Sequence, residues 1–140
     1  MAGLGGARRA PRLFITDAVG RWTELTTGDR TAVRLSAPDL QEAQRRRRRL
    51  PADVPVILDV AVTLAGDSRT ALAAISAQSG ERTVQYAGTV DGLAGLVVDL
   101  YVAGVADGVT LVPTSAGDDL RAQAQATLGR IQYRLRIPAA

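Results

Sequence analysis

The chain has 140 residues, 46% of them hydrophobic, and a formal net charge of +3 at neutral pH. It contains no cysteine and no histidine, which excludes disulfides, thiolate chemistry, a Ser-His-Asp triad and a His- or Cys-built zinc centre within this chain. A chain of this length can bury a substantial core and is expected to fold as one domain. Chemistry would therefore depend on a cofactor, a carboxylate, a tyrosine or an arginine.

The first third of the chain predicts a leader followed by short strands. Residues 1–11 are rich in Gly and Arg without any period and predict a flexible leader, so the folded domain is expected to span residues 12–140. Residues 13–16 and 31–35 are short β-rich runs that predict strands, and residues 22–30 between them predict a turn or a small hairpin tip.

With no long uncharged apolar run that could target or span a membrane, the sequence predicts a soluble cytoplasmic protein.

A helix is predicted next, with Ser36 as its N-cap, Asp39 beside the positive end of its dipole, and an end just before Pro51. Residues 45–49 of this helix are five consecutive arginines, which could neutralise the phosphates of a nucleic acid. However, five consecutive helical residues point in all directions, and no aromatic residue lies between them for base stacking. We therefore expect a solvated helix face, and a nucleic-acid partner is not predicted.

The strongest strand signal covers residues 54–65, an almost continuous β-branched run that is typical of a strand covered on both faces. Asp59 interrupts this run. It is either a catalytic carboxylate that points inward or the partner of a buried arginine, for which Arg34 is the plausible candidate. A further helix is predicted over residues 68–78.

The most legible part of the chain is the stretch from residue 83 to residue 113. Thr89 is the predicted N-cap of a helix, and Gly104 the residue that ends it in a left-handed turn. One face of this helix carries apolar residues at helical spacing, namely Leu93, Leu96, Val97 and Leu100. Gly92 and Gly95 predict close packing against a neighbouring element. Residues 107–113 then predict a strand, and residues 118–134 a final helix.

This alternation of strands and helices predicts an α/β fold with about four mostly parallel strands and crossover helices. A closed eight-stranded β/α barrel typically needs about 250 residues, with about 200 as the lower end. The predicted architecture is therefore a partial β/α barrel.

Three consecutive features resemble the C-terminal end of luciferase-like flavin monooxygenases. They are residues 86–89, the helix over residues 93–100, and the Ala-Gly-x-x-Asp-Gly turn with the apolar strand of residues 103–113. The upstream strand, Gly-Asp-Ser and Ala-rich helix of residues 54–77 look similar as well, and the resemblance covers about residues 13–131. It implies a β/α barrel that uses flavin mononucleotide or a deazaflavin to oxidise small molecules such as aldehydes, sulfonates, alkanes or alcohols.

Nothing in the chain matches the N-terminal half of that family, which supplies much of the flavin contact and the catalytic groups. The resemblance therefore assigns no catalytic residue and no metal ligand here, and it implies a homo-oligomer or a partner subunit. Thr114 and Ser115 are the candidate cofactor-binding residues, because they follow the last strand at the face where barrel enzymes place their sites. Ser115 is alternatively a cap of the final helix. The alternative function is a non-catalytic β/α domain kept for assembly or scaffolding.

Overall fold

The centre of the fold is a mostly parallel sheet with helices packed against it. The computed structural model describes residues 10–16, 20–28, 30–64, 83–113 and 120–135. Within these ranges the elements follow in the order β1 (Arg12–Thr16), β2 (Trp22–Glu24), β3 (Val33–Leu35), α1 (Leu40–Arg48), β4 (Val56–Leu64), β5 (Val84–Gly88), α2 (Val90–Val102), β6 (Gly108–Pro113) and α3 (Leu120–Leu135).

The strand order across the sheet is β2, β1, β6, β4 and β3. β6 occupies one edge of β4 through residues 57–62, so β3 and β5 lie one after the other along its opposite edge, at residues 56–58 and 60–64. These strands and β1 are parallel, whereas β2 runs antiparallel to β1. The described part of the chain is therefore a mixed α/β fold with a mostly parallel, curled sheet, which agrees with the predicted fold class at this level.

Side chains alternate along each strand and so divide the sheet into two faces. On the first face, one apolar core is formed by Leu13, Ile15, Leu58, Val60, Val62, Val84, Val109 and Leu111 of the strands with Ala43, Leu93, Ala94, Val97, Leu100, Ala124 and Ile131 of α1, α2 and α3. The intervening strand residues lie on the opposite side, the second face, whose members include Arg12, Phe14, Trp22, Arg34, Asp59 and Thr110. All three described helices therefore pack against the first face.

Two of the described strands, β2 and β5, differ from the sequence prediction. The segment that contains β2 is predicted as a turn or hairpin tip, and no strand is predicted between residue 83 and Thr89. Both become strands because a longer neighbour offers an unpaired edge: Trp22 pairs opposite Thr16, and Val84 pairs beside Val60. The predicted count of about four strands is therefore too low for the described residues, and the helix predicted over residues 68–78 lies outside them.

The N-cap predicted for α1 is also wrong. Asp39, and not Ser36, has the extended backbone of a cap, and its Oδ1 accepts a hydrogen bond from the amide of Glu42 at 2.8 Å. The helix begins at Leu40, so Asp39 is the residue whose carboxylate reaches the free amides of the first turn. The carbonyl of Ser36 instead accepts a hydrogen bond from Arg46.

The predictions for α2 are confirmed at both ends. The Oγ1 atom of Thr89 accepts from the amide of Gly92 at 3.1 Å, and Gly104 has a positive φ of 76° just after the helix. Close packing at Gly92 is confirmed too, because a Cβ atom there would overlap the hydroxyl of Tyr86. That hydroxyl donates to the carbonyl of Thr89 at 3.0 Å, so the tyrosine braces the beginning of the helix.

Candidate functional site

The second face carries a row of polar and aromatic side chains across the three central strands. Strand register places Phe14 of β1 beside Thr110 of β6, and Thr110 beside Asp59 of β4. Because these residues alternate with core residues, their side chains project away from the described helices. Phe14 is 5% exposed and Thr110 is fully buried, so other parts of the chain cover this face.

Trp22 is one of the side chains that cover the row. Its indole comes from the edge strand β2, stacks on the ring of Phe14 with centroids 4.3 Å apart and an interplanar angle of 14°, and extends across β1. Its Nε1 donates a hydrogen bond to Oγ1 of Thr110 at 2.8 Å. Trp22 is partly buried, and this bond gives its indole N–H a partner within the protein.

Arg34 approaches the same row from β3, at the opposite edge of the sheet. Its Nε donates to Oδ1 of Asp59 at 2.8 Å, and its guanidinium carbon lies 5.8 Å from the centre of the Trp22 ring. The predicted pairing of Asp59 with Arg34 is therefore confirmed, but the arginine is not buried, because its side chain is 35% exposed. The carboxylate is 14% exposed, and its charge is compensated by the arginine.

A second ion pair holds β2 in position. Arg12 donates to both carboxylate oxygens of Glu24, from Nε at 2.9 Å and from Nη2 at 2.8 Å, and its guanidinium carbon lies 5.3 Å from the Phe14 ring centre. The same carboxylate accepts from the hydroxyl of Thr26 and, at 3.1 Å, from the amide of Gly28. Burial alone would raise the pKa of Glu24, but these hydrogen bonds, led by that from Arg12, outweigh it and lower the pKa below its ordinary value. The charged network fixes the strand from which Trp22 projects.

The arginine run of α1 is largely engaged within the chain. Arg45 and Arg46 donate to the carboxylate of Glu42, which lowers the pKa of that carboxyl. Arg47 donates to the carbonyls of Pro51 and Ala52 at 3.2 and 3.1 Å. Arg47 thus fastens the end of the helix to the loop that follows it, while Arg45 and Arg46 pair within the helix, so three of the five arginines have a structural role.

The residues of the Ala-Gly-x-x-Asp-Gly turn lie at the amino ends of the strands. Oδ2 of Asp107 accepts from the amide of Val56 at 2.8 Å, and the Asp107 carbonyl accepts from the amide of Arg12 at 3.0 Å. A Cβ atom on Gly108 would collide with the backbone of Arg12, so the glycine permits the close approach of β1 and β6. This turn therefore joins three strands and is separate from the second-face row.

The predicted cofactor-binding residues Thr114 and Ser115 lie outside the described residues, which end at Pro113 on this side. The sequence prediction of the site contains neither Phe14 and Thr110, which belong to the row, nor Trp22, which covers it. Strand alternation could have placed Phe14 and Thr110 opposite the core. Trp22 offered no such signal, because it falls in a predicted turn.

No protein-family model matches the chain, and none of the curated proteins matches it significantly. Among the described helices, none combines the length and the apolar character needed to cross a bilayer. Nor does any group of three or more Asp or Glu side chains converge, within the described ranges, as ligands of a metal ion would. The fold and the second-face row are thus the structural basis for a functional proposal.

Proposed function

We propose that this chain is a flavin- or deazaflavin-linked oxidoreductase of the luciferase-like type, working in the cytoplasm as the C-terminal part of a β/α barrel. A second copy or a partner subunit would complete the barrel. The observation that carries the proposal is the division of the sheet, with all three described helices on the first face and the polar and aromatic row on the second. In a β/α barrel the helices lie outside, and the second face would line the interior.

The residues of this row suit a planar redox cofactor chemically. Phe14 offers an aromatic ring for stacking and Thr110 offers a hydroxyl, the two groups that the Trp22 indole contacts in this structure. Arg12 and Arg34 are both paired with carboxylates, so we assign the phosphate of the cofactor to Thr114 and Ser115. The flavin would supply the redox chemistry, and this chain would bind and orient it.

The second candidate is a non-catalytic β/α domain for assembly or scaffolding, and one observation favours it. Trp22 and Arg34 meet over the row, Thr110 is fully buried, and the Asp59 carboxylate is paired with Arg34. The chain's own side chains thus fill space that an enzyme would leave to its cofactor and substrate.

Flavin titration distinguishes the two candidates. The purified chain is titrated with flavin mononucleotide and with a deazaflavin, with flavin fluorescence as the readout, and its mass in solution is measured by light scattering. The oxidoreductase proposal expects saturable binding that weakens in the Thr114→Ala/Ser115→Ala variant and is unchanged in Thr31→Ala, an exposed threonine far along the chain. A well-folded chain that binds no flavin, alone or with a co-encoded partner, would contradict it. Flavin turnover by a strictly monomeric chain would contradict the proposal of a non-catalytic scaffold domain.

A further inference from the structure

Trp22 makes the contacts that a bound planar heterocycle would make. Its ring stacks on Phe14 at 4.3 Å, its N–H donates to Thr110 at 2.8 Å, and the Arg34 cation lies 5.8 Å from its centre. Stacking, one directed hydrogen bond and a nearby cation are together a usual means of recognising an aromatic ligand.

The side chains that surround the Trp22 indole come from strands other than β2, which carries Trp22. Phe14 belongs to β1, Thr110 to β6 and Arg34 to β3, while Asp59 of β4 holds Arg34 in place. β2 lies at the edge of the sheet and pairs with β1 through three residue pairs. Removing the indole would therefore leave the surrounding side chains on strands that keep their own pairing.

We infer that Trp22 occupies, as a built-in ligand, a binding site for planar heteroaromatic molecules that carry an N–H donor. Trp22 and such a molecule exclude one another, so an external ligand enters only when the indole leaves. The site is defined by side chains of the described strands and does not depend on whether the protein binds a flavin.

The test uses the Trp22→Ala variant and indole as the probe, with binding followed by calorimetry. Removing the indole would open space beside the Phe14 ring and the Thr110 hydroxyl, and a cavity left in a protein can bind a small aromatic molecule of matching size. We expect indole to bind Trp22→Ala at least tenfold more tightly than the unaltered chain. Tyr133→Ala is the matched control, because it removes an aromatic ring that is 81% exposed and opens no site.

Indene, which has the shape of indole without the N–H, tests the hydrogen bond. A net contribution of about 0.5–1.5 kcal/mol corresponds to roughly two- to tenfold weaker binding of indene. In the Trp22→Ala/Thr110→Val variant, the affinity for indole is expected to fall to that for indene, since Thr110 no longer accepts the bond.

A folded Trp22→Ala variant that binds no indole, or that binds indole and indene equally, would overturn the inference. If this variant does not fold alone, it is refolded with each compound and followed by circular dichroism. Recovery with indole beyond that with indene supports the site. No recovery, or equal recovery with both, overturns it.

Discussion

Trp22 and Arg34 stand on the two opposite edges of the sheet, and yet the Arg34 guanidinium carbon lies 5.8 Å from the centre of the Trp22 ring. Three strands separate β2 from β3, and in a flat sheet this would place the two edge strands about 19 Å apart. The contact therefore requires a sheet that is curled with its second face inward. It also explains how residues of that face become buried although the described helices lie on the other side.

Replacing Arg34 by alanine should weaken the contact between the two edges of the curled sheet. The change leaves the mostly buried Asp59 carboxylate without its 2.8 Å partner, so we expect the free energy of unfolding to fall by about 1–3 kcal/mol. Acrylamide should also quench the fluorescence of Trp22, the only tryptophan of the chain, more efficiently. Urea unfolding and quenching measure the two effects. Arg45→Ala is the control, since it breaks a more exposed pair with Glu42 that should contribute much less to stability. If Arg34→Ala and Arg45→Ala changed stability and quenching equally, the contacts of Arg34 with Asp59 and Trp22 would be contradicted.

Thr110→Val should leave the indole nitrogen of Trp22 without an acceptor. Because Trp22 is only partly buried, we expect a loss of about 0.5–1.5 kcal/mol, the usual net contribution of a hydrogen bond, measured by chemical unfolding. Thr127→Val is the matched control, because Thr127 is equally buried but donates to the carbonyl of Gln123 within its own helix. The single indole N–H signal in a ¹⁵N-labelled chain should shift in Thr110→Val alone. A shift of the same size in Thr127→Val would argue against the Trp22 contact.

Gly108→Ala should be strongly destabilising, because its new Cβ atom would meet the backbone of Arg12 on the neighbouring strand. Backbone atoms cannot move aside as a flexible side chain can, so we expect a loss of about 2 kcal/mol or more. Gly129→Ala provides the opposite case. Gly129 is an exposed glycine inside α3 with nothing within 4 Å of a Cβ atom, and alanine there should stabilise the helix by about 0.5–1 kcal/mol. Thermal unfolding of both variants tests the pair, and a stable Gly108→Ala would refute the close approach of β1 and β6.

Glu24 should make stability depend on pH in the acid range. Its pKa is lowered in the folded protein below the ordinary value of 4.5, so its contribution is complete above about that pH and is lost as the pH falls through the lower folded value. Glu24→Gln is expected to reduce stability by about 1–2 kcal/mol at neutral pH. The difference from the unaltered chain should shrink on acidification below 4.5, as urea unfolding at several pH values would show. The exposed Glu42→Gln should show a smaller, more salt-sensitive difference. If the difference in stability between Glu24→Gln and the unaltered chain stayed constant with pH, it would contradict the network around Glu24.

Several features of the fold are readable from the sequence because their causes lie within a few residues. Thr89 caps α2 through an amide three residues away, and Gly104 ends the same helix because its backbone can adopt a positive φ. The pairing of Asp59 with Arg34 is predictable for a different reason, since a carboxylate inside an apolar strand needs a cation nearby. Ser36 shows the limit of such local reasoning. Two capping residues stand within one turn, and only the true beginning of α1 decides between them.

The alternation of strands and helices, the apolar stripe of α2 and the mostly parallel sheet were determined by the sequence itself, through the spacing of apolar residues. Which strands became neighbours was decided only in the tertiary structure. Trp22 and Thr110 are 88 residues apart in the chain, and no local pattern relates them. They meet because β6 pairs with β1, β2 adds to the free edge of β1, and the curled sheet brings Arg34 over the same ring. The second-face site is therefore a product of strand pairing and curvature, which depend on contacts between distant segments.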